Sequence, residues 1–369
     1  MKVAKLIYDD TKNSSDLLYR TSFKAPDPVL FFEFNNKKYL VLNDLELERG
    51  KKQAKVDQIL PLNEISRTIK SNNIEKIIFH LLRQFKIKKI EVPYNFPAFI
   101  YQGLLKKKIK VVPSKSPIFF SSRIIKSKTE IQNITKVMRC AEKAMKAVID
   151  KIKYSKSRNK ILRIDGKIVS SEFLKDVCQK ELLSFGLECP DCIISSGPHS
   201  SLPHHSGSGP IKESQPIIID IFPRDLNTGY FGDMTRTVVK GAPSKKLYDM
   251  YRAVLKGQKL GLSLIKSGAK GKTIHNSINN LFINLGFDSK YIKGSPEGFI
   301  HSTGHGLGLD IHEPPRISTG DDVLKKNYVV TVEPGLYYSN IGGVRIEDTV
   351  LITNDGFKNL TKFSKNLKL

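Results

Sequence analysis

Twice in this chain an apolar run that reads as a buried strand ends on an acid: PIIID at 216 to 220 and YVVTVE at 328 to 333. A carboxylate at such a place is costly unless a positive partner or a proton meets it. The fold must therefore supply that partner to both Asp220 and Glu333. Beyond Asp220 the chain continues as DIFPRDLNTGYFGDMTRT, in which Asp225, Asn227 and Gly229 are turn residues between apolar and β-branched arms, a hairpin signature. Asp233 stands thirteen positions after Asp220, and the midpoint falls between Leu226 and Asn227. Asp220 and Asp233 are thus expected to oppose each other across the hairpin, with Cβ atoms about 5 Å apart. Like charges so placed demand a cation between them or a proton on one.

After the strand-like YVVTVEPGLYY (328 to 338), the segment IGGVRIEDTVLIT (341 to 353), with a glycine pair at the turn, completes a further hairpin that offers two carboxylates. Its alternation puts Arg345, Glu347 and Thr349 on one face and Val344 and Ile346 on the other. Between the two acidic regions lies HSTGHGLGLDIHEPP (301 to 315), which carries three of the chain's eight histidines. Glycines 304, 306 and 308 argue against a helix, so His301 and His305 are not a helical i, i+4 pair. They belong to a tight backbone that other atoms approach closely.

An isolated histidine of this kind is usually a satisfied core or surface residue. Three of them beside four carboxylates that all look buried turn the reading toward a site. Two Asp, two Glu and one His form a mainly oxygen-donor set, too hard for copper or an iron-sulfur cluster and too carboxylate-rich for structural zinc. Two divalent cations would balance the four negative charges, and bridging carboxylates hold such pairs about 3.5 to 4 Å apart.

With 369 residues, 40% of them apolar, the chain is long enough for two domains. The first, 1–125, alternates the candidate strands VLFFEF (29 to 34), KYLVL (38 to 42), KKIEV (88 to 92) and IKVVPS (109 to 114) with helices at 74–84 and 97–105, an α/β pattern. After the Pro and Ser cluster at 112–122, apolar spacing at three and four predicts a long amphipathic helix over 128–152, which opens a second domain, 126–369. Further helices at 172–183, 247–265 and 272–286, with strands between, make that domain α+β on a largely antiparallel sheet.

No apolar run is long enough to span a bilayer, and MKVAKLIYDD breaks up before a signal-type core can form, so the expected location is cytoplasmic, away from membranes. Cysteines 140, 178, 189 and 192 do not make a disulfide scaffold. Cys189-Pro-Asp-Cys192 has the spacing of a redox or zinc pair, but a second pair and a thioredoxin-like context are missing, so it reads as two reduced thiols near a loop. The net charge of +25 suggests nucleic acid, with KKKIK (106 to 110) and KIKYSKSRNK (151 to 160) as patches. The basic residues are nevertheless spread along the whole chain without aromatic interleaving or any Trp, so they read as solvated faces and nucleic acid is not an expected partner.

In order along the chain, SSGPHSSLPHH, GYFGDMTRT, HSTGHGLGLDIHEPP, TVEPGLYY and GGVRIEDT resemble the successive catalytic motifs of the pita-bread metallopeptidases. That family includes methionine aminopeptidase, aminopeptidase P (Xaa-Pro aminopeptidase), prolidase and the non-peptidase creatinase. SDLLYR (15 to 20), VLNDLELERGKKQAKVDQI (41 to 59) and the helix beginning KTEIQNITKVMRCAEKAM look like the creatinase/prolidase type of N-terminal domain and the helix after it.

The resemblance implies a pita-bread catalytic domain with Asp220, Asp233, His305, Glu333 and Glu347 as ligands of two divalent metal ions, Asp233 and Glu347 bridging. It implies manganese first, with cobalt or zinc as alternatives. Glu333 becomes the proton shuttle and His312 a donor to the tetrahedral oxyanion, with His301 also framing the scissile carbonyl. Arg345 supports the bridging carboxylates. His204 flanks the substrate's N-terminal side, with His205 a competing candidate. The implied substrate is a peptide with proline at its second position, and the implied assembly a homodimer. The spacing from Asp220 to Asp233 is longer than is usual in the family, and the extra residues put Arg224 or Asp225 at the rim, where they could touch substrate or a partner. A catalytically inactive relative that binds a peptide, protein or nucleic acid is the alternative, as is a creatinase-like hydrolase without metal. The complete ligand set argues against both.

Overall fold

The computed structural model describes residues 3–292 and 294–369, which form two compact units divided between Arg123 and Ile124. In the first unit the apolar runs become one mixed sheet of six strands, in the order Gln58–Pro61, Lys37–Leu42, Val29–Phe34, Ala4–Asp9, Lys89–Val92 and Lys110–Pro113. VLFFEF lacks polar alternation because both faces of the sheet are covered. Leu30 and Phe32 pack with Leu6, Ile77 and Leu81 on one side, and Phe31 packs with Ile7, Leu17 and Leu40 on the other. Helices Ile74–Gln84 and Ala98–Lys106 stand where the apolar spacing puts them. The strand Ala4–Asp9, which the sequence reading does not include, joins the two halves of the sheet: it runs antiparallel to Val29–Phe34 and parallel to Lys89–Val92.

The second unit opens with the helix Lys128–Tyr154, started by a capping box between Ser127 and Glu130. Helices Ser171–Ser184, Lys245–Leu264 and Gly271–Asn284 follow. Its strands pair antiparallel. Ile217–Ile221 lies between Ile193–Ser196 and Met234–Val238, while a five-stranded sheet runs in the order Glu313–Ile317, Gly304–Gly306, Val329–Val332, Asp348–Ile352, Phe357–Asn359. Val254, Ile274, Ile278 and Phe282 from the helices close over Val330, Val332, Leu336, Val344 and Ile346. No helix among the described residues is long and apolar enough to cross a membrane.

One local expectation needs correction. Asp220 faces Thr235, not Asp233, and the same register continues through the Arg224–Phe231 bridge. The loop runs from Leu226 to Gly229. Asp225 Oδ1 accepts from the amides of Asn227 at 2.7 Å and Thr228 at 2.8 Å, and Gly229 takes a φ of +80°. This turn chemistry centres the hairpin one position later than the midpoint between the aspartates, which puts Asp233 diagonal to Asp220. Side chains alternate with a period of two, so both aspartates still share a face. The added arm is used locally: Arg224–Asp225 pairs with Leu187–Glu188, and the Arg224 guanidinium lies 5.6 Å over the Phe231 ring.

The second hairpin, 328–353, forms as expected, but each of its arms is divided between two sheets. The turn is at 339–341 and joins Gly335–Tyr338 to Gly342–Arg345, whereas Asp348–Ile352 pairs with Val329–Val332 in the larger sheet. Two strands therefore change sheets, one at Glu333-Pro334 and one at Ile346-Glu347. Pro334 cannot donate to a ladder, which suits it to such a break. At the breaks the amide of Glu333 donates to Thr303 O at 2.7 Å and that of Glu347 to Thr235 O at 3.1 Å. Both glutamates are thereby fixed by their own backbone.

Candidate metal centre

One cleft of about 930 Å³ in the second unit is lined by Asp220, Asp233, His305, Glu333 and Glu347 together with His204, His301, His312 and Arg345. All nine residues singled out in the sequence meet there. His205 does not line this cleft. It stacks on His199 with ring centroids 4.1 Å apart, and its Nδ1 accepts from the Gly207 amide at 3.0 Å. Arg224 and Asp225 are also outside it.

Asp220, His305 and Arg345 lie in strands, Asp233, Glu333 and Glu347 stand next to strand ends, and cross-links tie several of them together. Thr235, on the same face as both aspartates, donates its hydroxyl to Glu347 Oε2 at 2.7 Å and accepts from Arg345 Nε at 3.3 Å. Thr349 Oγ1 donates to the Asp233 carbonyl at 2.7 Å. His305 is gripped between backbones that need glycine on either side. A Cβ at Gly304 would lie 2.0 Å from Thr331 O, and one at Gly306 2.3 Å from Pro314 O.

Arg345 is the one guanidinium among the five acids and bases of the nest. Its Nη2 donates to Asp220 Oδ2 at 2.6 Å and its Nη1 to the Tyr337 hydroxyl at 2.6 Å. His301 Nδ1 faces Ser302 O at 2.7 Å and so carries the hydrogen, which leaves its Nε2 to accept from Tyr337 Oη at 3.0 Å. A continuous chain of polar contacts thus runs from Asp220 through Arg345 and Tyr337 to His301. Both ring nitrogens of His301 are engaged. The ring of His312 packs at 4.4 Å edge-on to His305. Burial keeps both His301 and His312 neutral at physiological pH, their pKa values pushed down to about 4.

The donor set fits divalent cations on three observations. His305 Nδ1 donates to Gly306 O at 3.1 Å, which aims Nε2 at Glu333 Oε1, 3.3 Å away, and Asp233 Oδ2, 3.6 Å away. One donor atom each from Asp233, His305 and Glu347 falls within 4.8 Å of the others. Finally, Asp220 Oδ1 and Glu347 Oε1 are buried without a hydrogen-bond partner.

The electrostatics agree. Burial raises the Asp220 carboxyl pKa against the pull of Arg345. Burial and the neighbouring carboxylates push Asp233 and Glu347 well above the ordinary range. Glu333 is the exception. Burial opposes its ionisation, yet contact with His305 and the charge of the Arg345 guanidinium hold it down to about 2. A nest of four acids with one arginine is short of positive charge, and hard, oxygen-preferring cations would make up the difference.

Several residues at this site escape the sequence reading. Tyr337 and Thr235 sit inside quoted motifs, and for Thr235 the period-two alternation from Asp233 is the available signal. Lys126 and Glu313 form a buried ion pair at 2.6 Å, and Glu313 Oε1 accepts from the amides of Leu309 and Asp310, which shapes the loop that carries His312. Arg316, beyond His312, also lines the cleft.

Residues 132–354, more than half of the chain, match the model of metallopeptidase family M24. The chain belongs to that family and is a metal-dependent peptidase, with divalent metal ions as its cofactor. It is 36% identical over 284 residues to the Xaa-Pro dipeptidase of Pyrococcus horikoshii, covering 76% of this chain and 75% of that one. It is 34% identical over 330 residues to the Xaa-Pro dipeptidase of Pyrococcus furiosus, covering 89% and 85%. Among solved structures, the prolidase from Pyrococcus horikoshii superposes with a TM-score of 0.81 at 29% identity over 99% of this chain and 95% of that one. The Xaa-Pro dipeptidase from Bacillus anthracis gives 0.83 at 26% identity over 100% and 95%. The architecture is therefore the expected one, an α/β N-terminal domain of the creatinase/prolidase type and an α+β pita-bread catalytic domain.

Proposed function

We propose that this chain hydrolyses the bond between an N-terminal residue and a following proline, as an Xaa-Pro dipeptidase, with Asp220, Asp233, His305, Glu333 and Glu347 holding two divalent cations. The observation that carries the reading is the nest itself: four buried carboxylates and His305 Nε2 converge beside the Arg345 guanidinium. When bound, the cations supply Lewis acidity and a nucleophile competent at neutral pH. Manganese is the first choice, with cobalt and zinc behind it. Domains 1–125 and 126–369, a homodimeric assembly and a cytoplasmic location complete the proposal.

The protein's own groups divide the remaining work. Glu333, ionised at neutral pH, takes the proton given up by the attacking water and passes it to the leaving prolyl nitrogen. His312, neutral and lining the cleft, donates a hydrogen bond to the carbonyl oxygen as charge develops there. His301 is held by Tyr337 and Ser302, so it frames the carbonyl by position. Arg345 orients Asp220 through its hydrogen bond. His204 walls the side on which the free amine would enter. Arg316 offers a guanidinium for a terminal carboxylate, which favours dipeptides over longer chains.

The test strips the protein with chelator, restores manganese, cobalt or zinc in turn, and assays Xaa-Pro dipeptides beside Xaa-Pro-Yaa and non-proline peptides. Turnover is expected on Xaa-Pro dipeptides with at least one metal. Turnover on none of the peptides with any metal would remove the proposal.

A further inference from the structure

Three of the four cysteines come together beside the cleft, and one of them, Cys192, lines it. Cys178 comes from the helix Ser171–Ser184, and Cys189 and Cys192 from the turn that follows Leu187–Glu188, where the Cys192 amide donates to Cys189 O at 3.4 Å. Cys178 and Cys189 both lie close enough to the Cys192 thiol to shift its ionisation. All three residues are buried, and none is in a disulfide. Cys140 stands elsewhere, on the long helix. Cys192 also lines the cleft, with Lys175, Pro190 and Asp191 beside it. Its neighbour Ile193 is the residue that pairs with Asp220.

Such a trio could hold a soft metal or close a disulfide, and the geometry separates the two. Among the described residues, the one trio of His, Cys, Asp or Glu whose donor atoms all lie within 4.8 Å of one another is Asp233, His305 and Glu347. The three sulfurs therefore approach in pairs at Cys192 and not around a common centre. Pairwise approach is what a disulfide needs. Cys192 is also the thiol best prepared to react: hydrogen bonds from Cys178 and Cys189 and the charge of Lys175 lower its pKa, against burial, to about 4. The sequence reading leaves the Cys189 and Cys192 pair without a role because a second pair and a thioredoxin-like context are missing, and nothing in it joins Cys178, on a separate helix, to them.

We infer that Cys192 is a peroxide-reactive site whose oxidation closes a disulfide with Cys178 or Cys189 and alters the cleft. In the first step the Cys192 thiolate attacks a hydroperoxide. A sulfur–oxygen bond forms, the oxygen–oxygen bond breaks, and the oxygen that leaves takes a proton as water or alcohol. In the second step the partner thiol attacks the sulfenic sulfur. The sulfur–sulfur bond forms, the sulfur–oxygen bond breaks, and water leaves with the partner's proton. Two thiols lose two electrons and one peroxide gains them. Drawing Cys192 to an S–S distance of about 2.05 Å shifts the residue next to the Ile193–Asp220 pair.

To test this, the metal-loaded full chain is treated with hydrogen peroxide, alkylated, digested and mapped by mass spectrometry without reductant. The expected product is a disulfide that contains Cys192, reopened by dithiothreitol, with Cys140 recovered as an alkylated thiol. Turnover of an Xaa-Pro dipeptide should fall about tenfold or more and return on reduction. Cys192→Ser should lose the part of the inhibition that dithiothreitol reverses. Three free thiols after peroxide treatment, or Cys192 recovered as sulfinic acid without a disulfide, would overturn the inference. So would a disulfide that leaves turnover unchanged. The mapping needs no turnover, so its result stands apart from the fate of the peptidase proposal.

Discussion

Tyr337→Phe cuts the polar chain between Asp220 and His301 at its middle. The hydroxyl accepts from Arg345 Nη1 at 2.6 Å and donates to His301 Nε2 at 3.0 Å, from a side chain only 1% exposed. Phenylalanine keeps the ring, so the loss is confined to two hydrogen bonds. Arg345 Nη1 is left with Pro203 O at 3.4 Å, and His301 Nε2 with a buried lone pair. Each orphaned group costs about 1–3 kcal/mol, so about 2–6 kcal/mol together. In a unit of this size that lowers the melting temperature by roughly 4–24 °C. The hydroxyl makes no hydrogen bond to any of the five candidate ligands, so metal content at saturating manganese should match the wild type. Turnover number should fall about tenfold as His301 loses its orientation. Calorimetry and steady-state kinetics on an Xaa-Pro dipeptide read both effects. A variant that melts within a degree of the wild type with an unchanged turnover number would refute the claim that this chain of contacts holds the site.

Glu313→Gln breaks the buried ion pair with Lys126 and should cost about 3–5 kcal/mol, measurable as a lower melting temperature. Joining it to Lys126→Met should recover part of that loss, because no uncompensated charge then remains; a double variant worse than the sum of the singles would contradict the pairing. Burial lowers the pKa of His275, whose Nδ1 meets Thr303 Oγ1 at 3.0 Å. The unfolded chain then binds the proton more readily than the folded one. The stability contributed by neutral His275 is present above its unfolded value of 6.5 and is lost as pH falls from there toward the depressed folded value. Melting curves at pH 5 to 8 should therefore be flatter in His275→Gln than in the wild type.

Element type was readable wherever periodicity or turn chemistry was strong. The long helix Lys128–Tyr154 and the helices Ile74–Gln84 and Lys245–Leu264 carry sustained apolar spacing, and VLFFEF identifies itself as a strand covered on both faces. Ala4–Asp9 was missed because Lys5 and Asp9 interrupt its short run, and only its neighbours in the sheet bury it. The shared face of Asp220 and Asp233 was legible because it depends on parity alone, whereas their register was not, since it depends on how Asp225 and Gly229 build the loop. The sheet change at Ile346-Glu347 is decided by a tertiary bond from Glu347 N to Thr235 O, which no local pattern announces. Tyr337 was hidden for the same reason. Its partners, Arg345 and His301, are eight and thirty-six residues away.

The central claim is that five side chains of this chain hold two divalent cations. The most direct check is the metal content of the full-length protein, by plasma mass spectrometry after equilibration with manganese and removal of free ion, beside Glu347→Gln. The account predicts two ions per chain in the wild type and a clear loss in the variant. A wild-type chain that retains no metal, or a variant that retains as much as the wild type, would contradict it.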